Sequence, residues 1–190
     1  KKLAEDYNWS YRSFDLKDKN ELAQNLEDVD LVLHCAGPFV HTAKIMAEAC
    51  LLSKTHYLDI TGEYQVFELM ASMDQNAKDA GIMLLPGVGF DVVPSDCLAL
   101  YLFEKLPTAI HLQLAFTSDG GGVSRGTAKS ALEGMGYGGV VRKDHQLMEV
   151  PVDHKIETID FHWMKQKCAV IPWGDVSTAY RTTGIPDIEV

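Results

Sequence analysis

The sequence predicts an α/β protein in which a parallel sheet with crossover helices is followed by an α+β unit. Three observations carry that prediction. The run Val29–Phe39 (VDLVLHCAGPF) is apolar, of strand length and without polar alternation, and it stops at Ala-Gly-Pro, which suits a parallel strand covered on both faces. Short apolar runs then alternate with helical stretches as far as about residue 106, the pattern of β-α units. Beyond residue 107 the runs change to one-in-two alternation, which fits an antiparallel sheet with one wet face.

The elements follow in order. Residues 10–14 form a short strand candidate ending at Asp15, and residues 18–27 a polar helix with Leu22 and Leu26 on one face. After the strand at 29–35, residues 42–54 place Ala43, Met46, Ala47, Cys50 and Leu51 at helical spacing, with Thr42 as the expected N-cap. His56–Ile60 is the next strand, closed by Thr61-Gly62-Glu63. Residues 64–80 form a helix with Val66, Met70, Met73 and Ala77 on one stripe, and Gly81 is its expected left-handed terminator. Ile82–Leu85 is a strand broken by Pro86-Gly87-Val88-Gly89, and a helix runs from near Ser95 to before Pro107. In the second unit, strands are expected at 109–117 and 155–163, and a helix from about Thr127 to Met135. The expected division is 1–106 and 107–190.

Right-handed crossovers bring the carboxyl ends of parallel strands to one edge, and ligands of such sheets bind outside that edge. Asp15, Ala36-Gly37-Pro38, Thr61-Gly62-Glu63 and Pro86-Gly87-Val88-Gly89 are expected to meet there. Glu63 and Asp91 each stand just beyond a strand end, where a carboxylate can hydrogen-bond a hydroxyl or accept a proton. Capping the following helix is the alternative role for both.

Composition excludes several functions. A formal charge of −10 leaves no basic face for nucleic acid. No apolar run reaches transmembrane length, and no signal peptide is expected. Cys35, Cys50, Cys97 and Cys168 are scattered without a Cys-x-x-Cys pair, so free thiols, mostly buried, in a reducing cytoplasmic compartment are expected. His34 and Cys35 are expected to pack inside their strand and His41 to lie at the surface. His145, His154 and His162 have no metal spacing with any cysteine, so no metal site is expected. The first residues lack an initiator Met and read as a helix tail, and the last read as a strand start; a piece cut at both ends from a longer protein is expected.

The Gly-x-Gly-x-x-Gly fingerprint that cradles a pyrophosphate after the first strand is read as absent, and a chain that starts after the first β-α-β unit is the expected reason. Gly121 and Gly126 have P-loop spacing, but Thr127 stands where Lys is required, so a nucleoside-triphosphate site relying on Thr127 and Lys129 is not expected. An interdomain turn capping a helix is the expected role of this stretch, and receipt of an anionic substrate group by Arg125 and the helix start is the alternative.

Together, Val32–Phe39 (VLHCAGPF), His56–Glu63 (HYLDITGE) and Pro86–Asp96 (PGVGFDVVPSD) resemble the saccharopine dehydrogenase-like oxidoreductases, in the branch that includes trans-acting enoyl reductases. Gly122–Thr127 matches that branch in kind, and the resemblance covers about residues 10–135. It implies a partial Rossmann-type domain for NADP or NAD, hydride transfer to or from a small or lipid-like substrate, and a second domain that often mediates dimerisation. Asp15 would lie near the adenine, Ala36, Gly37, Pro38 and Phe39 along the path to the nicotinamide ribose, and Gly62 and Glu63 at the nicotinamide end. Gly87, Gly89 and Asp91 would stand behind them, with Asp91 or Glu63 as the candidate catalytic group. A homo-oligomer is implied. The rival reading is a non-enzymatic dimerisation or scaffold module of the same descent.

Overall fold

The computed structural model describes residues 2–118, 120, 126, 128, 138–151 and 153–190. After α1 (Lys2–Asp6) comes α2 (Lys19–Asn25), then β1 (Leu31–His34), α3 (Phe39–Ser53), β2 (His56–Asp59), α4 (Tyr64–Ser72), α5 (Asp74–Ala80) and β3 (Leu84–Leu85). Helix α6 (Val93–Lys105) leads to β4 (His111–Gln113), β5 (Gly139–Lys143), β6 (Gln146–Val150), β7 (Ile156–Asp160) and β8 (Lys165–Ala169). Helix α7 (Asp175–Thr183) and β9 (Asp187–Glu189) close the described chain.

β1, β2 and β3 form a parallel sheet in that order, with Leu33 opposite Leu58 and Tyr57 opposite Leu84. Its core lies on one face only. Phe39, Ala43, Met46 and Cys50 of α3, Val66 and Met70 of α4, and Leu22 and Leu26 pack around Tyr57. Leu22 and Leu26 are both buried, as their spacing required. Asp18 caps α2, its carboxylate accepting from the N–H of Asn20 and Glu21. Gly81 takes the left-handed conformation at the end of α5.

Five expectations are corrected. Residues 10–14 form no strand; Phe14 packs against the core, while Tyr11 is 52% exposed. β1 is not covered on both faces: Leu31 is 45% and Leu33 52% exposed, and Leu85 on the same side is 43% exposed. Cys35 is accordingly exposed. Helix α3 begins at Phe39, three residues before the expected cap, because Thr42 spends its hydroxyl elsewhere: Oγ1 donates to the Ala36 carbonyl at 2.7 Å. The helix expected over 64–80 is two helices that meet at Met73.

The second sheet has the order β4-β9-β5-β6. Leu112 and Leu114 point inward as the alternation predicts, but β4 pairs with β9 in parallel, so the sheet is mixed rather than antiparallel. One-in-two alternation reports a half-buried strand, not the direction of its neighbour. Its core joins Ala99 of α6, Val176 and Ala179 of α7, Val140 and Ile188. β7 and β8 form a separate hairpin. Of the helix expected at 127–135 only Ala128 is among the described residues, and it is helical; Arg125, Thr127 and Lys129 lie outside them. No helix among the described residues is long and apolar enough to cross a membrane.

Candidate functional site

The loops after β2 and β3 converge on the side chain of Asp59, the last residue of β2. One carboxylate oxygen accepts the N–H of Thr61 at 3.0 Å and of Gly87 at 2.8 Å. The other accepts the Tyr57 hydroxyl at 2.7 Å, and the Asp59 carbonyl accepts the Val88 N–H at 2.8 Å. Asp59 is fully buried, so this charge is held by hydrogen bonds in place of water. Burial together with the Asp59 charge pushes the Tyr57 hydroxyl far up, which keeps it a proton donor. Sequence reading passed over Asp59; the available signal was a carboxylate standing between Leu58 and Ile60 in an apolar run.

Glu63 does not cap the helix that follows it. Its carboxylate reaches across to the start of α3 and accepts the N–H of Phe39 at 3.1 Å and of Val40 at 2.6 Å. A helix N-terminus has N–H groups without intrahelical partners and a positive dipole end, both answered by a carboxylate. The loop after β2 is thereby tied to the loop after β1.

Beside it, His34 is buried, edge-on to Phe39, with Nε2 2.9 Å from Thr42 Oγ1. Burial pushes its imidazole below the ordinary histidine value, so it is neutral and packs as expected.

The predicted residues divide into walls and supports. Cys35, Ala36 and Gly37 are exposed at the strand end, whereas Pro38 and Phe39 are buried. Ile60 is 42% and Phe90 80% exposed. Gly62 and Gly87 are small because protein packs against them. A Cβ on Gly62 would stand 2.8 Å from Asp91 Oδ2, and one on Gly87 would stand 2.5 Å from the Phe67 ring. Gly89 lies against Ile60. Asp91 is half-buried and desolvation raises its carboxyl above the ordinary range, the direction a proton donor near neutrality needs. Asp15 is not brought to this edge by a strand; it is exposed and 3.0 Å from Lys17 Nζ.

A segment of the second unit completes the edge, and sequence reading missed it. Trp173 forms an antiparallel backbone bridge with Glu63. Its indole Nε1–H donates to the Asp91 carbonyl at 3.0 Å, and its ring lies 4.8 Å from that of Phe116. Gly174 follows, with no room for a side chain between Phe67, Val92 and the Gly62 carbonyl. Among the described residues no three of His, Cys, Asp and Glu converge as a metal site.

The spacing Gly-x-Gly-x-x-Gly does occur, at Gly134–Gly139 (GMGYGG). Its last glycine opens β5 instead of following a strand, and Gly138 is set against the Val150 carbonyl, 2.3 Å from where a Cβ would stand. These two glycines serve the β5–β6 pairing.

Residues 1–85 match the family described as the saccharopine dehydrogenase NADP binding domain. A saccharopine dehydrogenase-like oxidoreductase of Mus musculus is 32% identical over 135 residues, 68% of this chain and 32% of that protein. A Mycobacterium tuberculosis protein whose name describes a trans-acting enoyl reductase is 32% identical over 109 residues, 54% of this chain and 26% of that protein. The chain thus spans about a third of the length of the curated relatives it matches. Apo saccharopine dehydrogenase (L-Glu forming) of Saccharomyces cerevisiae superposes with a TM-score of 0.63 at 14% identity, covering 99% of this chain and 44% of that one. This places the chain in the same α/β fold.

The residues present fit part of a dinucleotide. Ala36, Gly37, Ile60 and Phe90 are exposed at the strand ends, where small and apolar groups leave a ring room to approach. The N-terminus of α3 is already taken by the Glu63 carboxylate, so it does not present its N–H groups to a phosphate.

Proposed function

We propose, from its similarity to the saccharopine dehydrogenase NADP binding domain over residues 1–85 and to the saccharopine dehydrogenase-like oxidoreductases, that the complete protein is an NAD(P)-dependent oxidoreductase of that family. It passes a hydride between nicotinamide and a carbon–nitrogen, carbon–oxygen or activated carbon–carbon double bond of a small or lipid-like substrate. The observation that carries this is the single strand-end edge at which the loops after β1, β2 and β3 are tied together through Asp59 and Glu63. A bound cofactor supplies the hydride; the protein holds, orients and dries the reacting carbon.

In this reading Ala36 and Gly37 line the path to the nicotinamide ribose, with Pro38 and Phe39 fixing their backbone from below. Gly62 and Glu63 stand at the nicotinamide end, with Gly87 and Gly89 behind them. Asp91 is the polar group facing the substrate. Asp15 stays on the adenine side on family resemblance alone. The first 106 residues belong to the dinucleotide domain and the remainder to a substrate and dimerisation domain. The open side of β1 and its exposed Leu31 and Leu33 support a homo-oligomer, since unpaired edges and apolar faces seek partners. A cytoplasmic setting suits the four free thiols.

Titration of NADPH and NADH into the complete protein, followed by nucleotide fluorescence, tests the proposal; saturable binding is expected. Absence of binding would move the assignment to a scaffold module. Gly37→Val, which adds a branched side chain to the exposed wall, is expected to weaken binding at least about tenfold, or about 1.4 kcal/mol. Unchanged affinity in that variant would remove this edge from the site.

A further inference from the structure

Helices α6 and α7 meet over a seam that carries polar groups where packing alone would favour apolar ones. On α7, Asp175, Thr178 and Thr182 fall at i, i+3 and i+7, which places them on one stripe. Ser95 Oγ donates to Asp175 Oδ1 at 2.5 Å, and Thr182 Oγ1 donates to Asp96 Oδ2 at 2.6 Å. The second oxygen of each carboxyl, Asp175 Oδ2 and Asp96 Oδ1, is buried without a partner, and so is Thr178 Oγ1. Every buried side-chain polar atom without a partner among the described residues belongs to this seam. Asp175 is 1% exposed.

The surrounding charges do not neutralise it. The elements against α7 bring Tyr64 and Glu68 on α4, Arg142 and Lys143 on β5, and Asp187 and Glu189 on β9. α6 brings Asp96, Glu104 and Lys105, and the loop before it Asp91. Glu68 is engaged by Arg142, by Arg181 of α7 and by the Ser177 hydroxyl. Lys143 pairs with Asp187, and Glu189 with Lys155. The charges that act on Asp175 are those of Asp96 and Asp91, both of its own sign. Two ionised carboxylates with bare buried oxygens are costly; one proton between them supplies a donor and removes a charge.

We propose that Asp175, with Asp96 and Thr178, forms a proton-binding site between α6 and α7, and that the proton held there seats the Trp173–Gly174–Asp175 strap on the strand-end edge. The strap is short and tied at each residue: Trp173 to Glu63 and Asp91, Gly174 between Phe67 and Val92, Asp175 to Ser95. Movement of Asp175 is therefore passed to the loops that carry Glu63 and Asp91. Burial, followed by the charge of Asp96, lifts the Asp175 carboxyl from its ordinary 3.8 to about 6, against the opposing pull of the Ser95 hydrogen bond. A carboxyl raised on folding binds its proton more tightly in the folded protein. Its stabilisation is full below 3.8 and is lost as pH rises to about 6.

The test compares wild type with Asp175→Asn, which keeps the shape and carries no charge. Urea midpoints are measured from about pH 4 to about pH 8. Acrylamide quenching of Trp173 is followed over the same range, taken as the difference from Trp173→Phe. The wild-type midpoint is expected to contain a component that falls up to about pH 6, and Trp173 to become more quenchable above it. In Asp175→Asn both changes should vanish, with a midpoint above wild type at the alkaline end. Ser95→Ala, which removes the bond favouring the charged form, should move the falling limb to higher pH. Identical pH dependence in wild type and Asp175→Asn would overturn the proton site. A difference in midpoint with unchanged Trp173 quenching would overturn its control of the strap. Neither readout uses a nucleotide, so either result stands apart from the outcome of the NADPH titration.

Discussion

Asp59→Ala is expected to destabilise the chain by at least about 3 kcal/mol, because it strands three buried donors at once, each worth about 1–3 kcal/mol when left unpaired. Those donors are the Tyr57 hydroxyl and the N–H groups of Thr61 and Gly87. The strand β2 would survive in outline, since its ladder to β1 is untouched, but the loops after β2 and β3 would lose their common anchor. Urea unfolding measures the loss. Tyr57→Phe serves as the partial variant: it removes one donor with its need for a partner and should cost only about 1 kcal/mol. If Asp59→Ala proves no worse than Tyr57→Phe, the carboxylate is not what gathers these loops.

Gly87→Val is expected to be of similar or greater effect, for a different reason. Gly87 has φ of +74°, a conformation that costs an L-residue about 1–2 kcal/mol and a β-branched one more. Its Cβ would also stand 2.5 Å from Phe67 Cζ and 2.8 Å from Val92 Cγ2, and overpacking of that kind costs about 1–3 kcal/mol. Together about 3–5 kcal/mol is expected. The two components separate by experiment. Gly87→Ala combined with Phe67→Leu and Val92→Ala relieves both contacts and leaves the backbone strain, so measured against Phe67→Leu with Val92→Ala alone it should recover part of the loss but not all. Full recovery would show that the positive φ carries no cost here. Because the Gly87 N–H is one of the Asp59 donors, Asp59→Ala and Gly87→Val together should cost less than their sum.

The strands and helices of the first unit were legible because each is a local pattern: Leu22 with Leu26, Val66 with Met70, Gly81 ending a helix. The strand ends were legible for the same reason, from Ala-Gly-Pro, Thr-Gly-Glu and Pro-Gly-Val-Gly. What joins them was not. Glu63 was a cap of the wrong helix because its partners, Phe39 and Val40, lie more than twenty residues back in sequence. Trp173 and Asp175 were missed because their contacts with Asp91 and Ser95 span some eighty residues. The expected strand at 10–14 failed because Phe14 packs on the core without a partner strand beside it, and the parallel pairing of β4 with β9 was missed because alternation encodes burial and not direction.

The packing of Cys50 under the first sheet makes the chain its own unfolding reporter. The thiol is fully buried in α3, and burial pushes it up to about 12, so at neutral pH it offers almost no reactive thiolate. Cys35 and Cys97 are exposed on the same chain. A thiol reagent therefore meets the exposed Cys35 and Cys97 at once, the half-buried Cys168 more slowly, and Cys50 only in molecules whose helix α3 has left the sheet. The late phase of labelling counts openings of this core in undenatured protein, without a probe being added or a residue being changed.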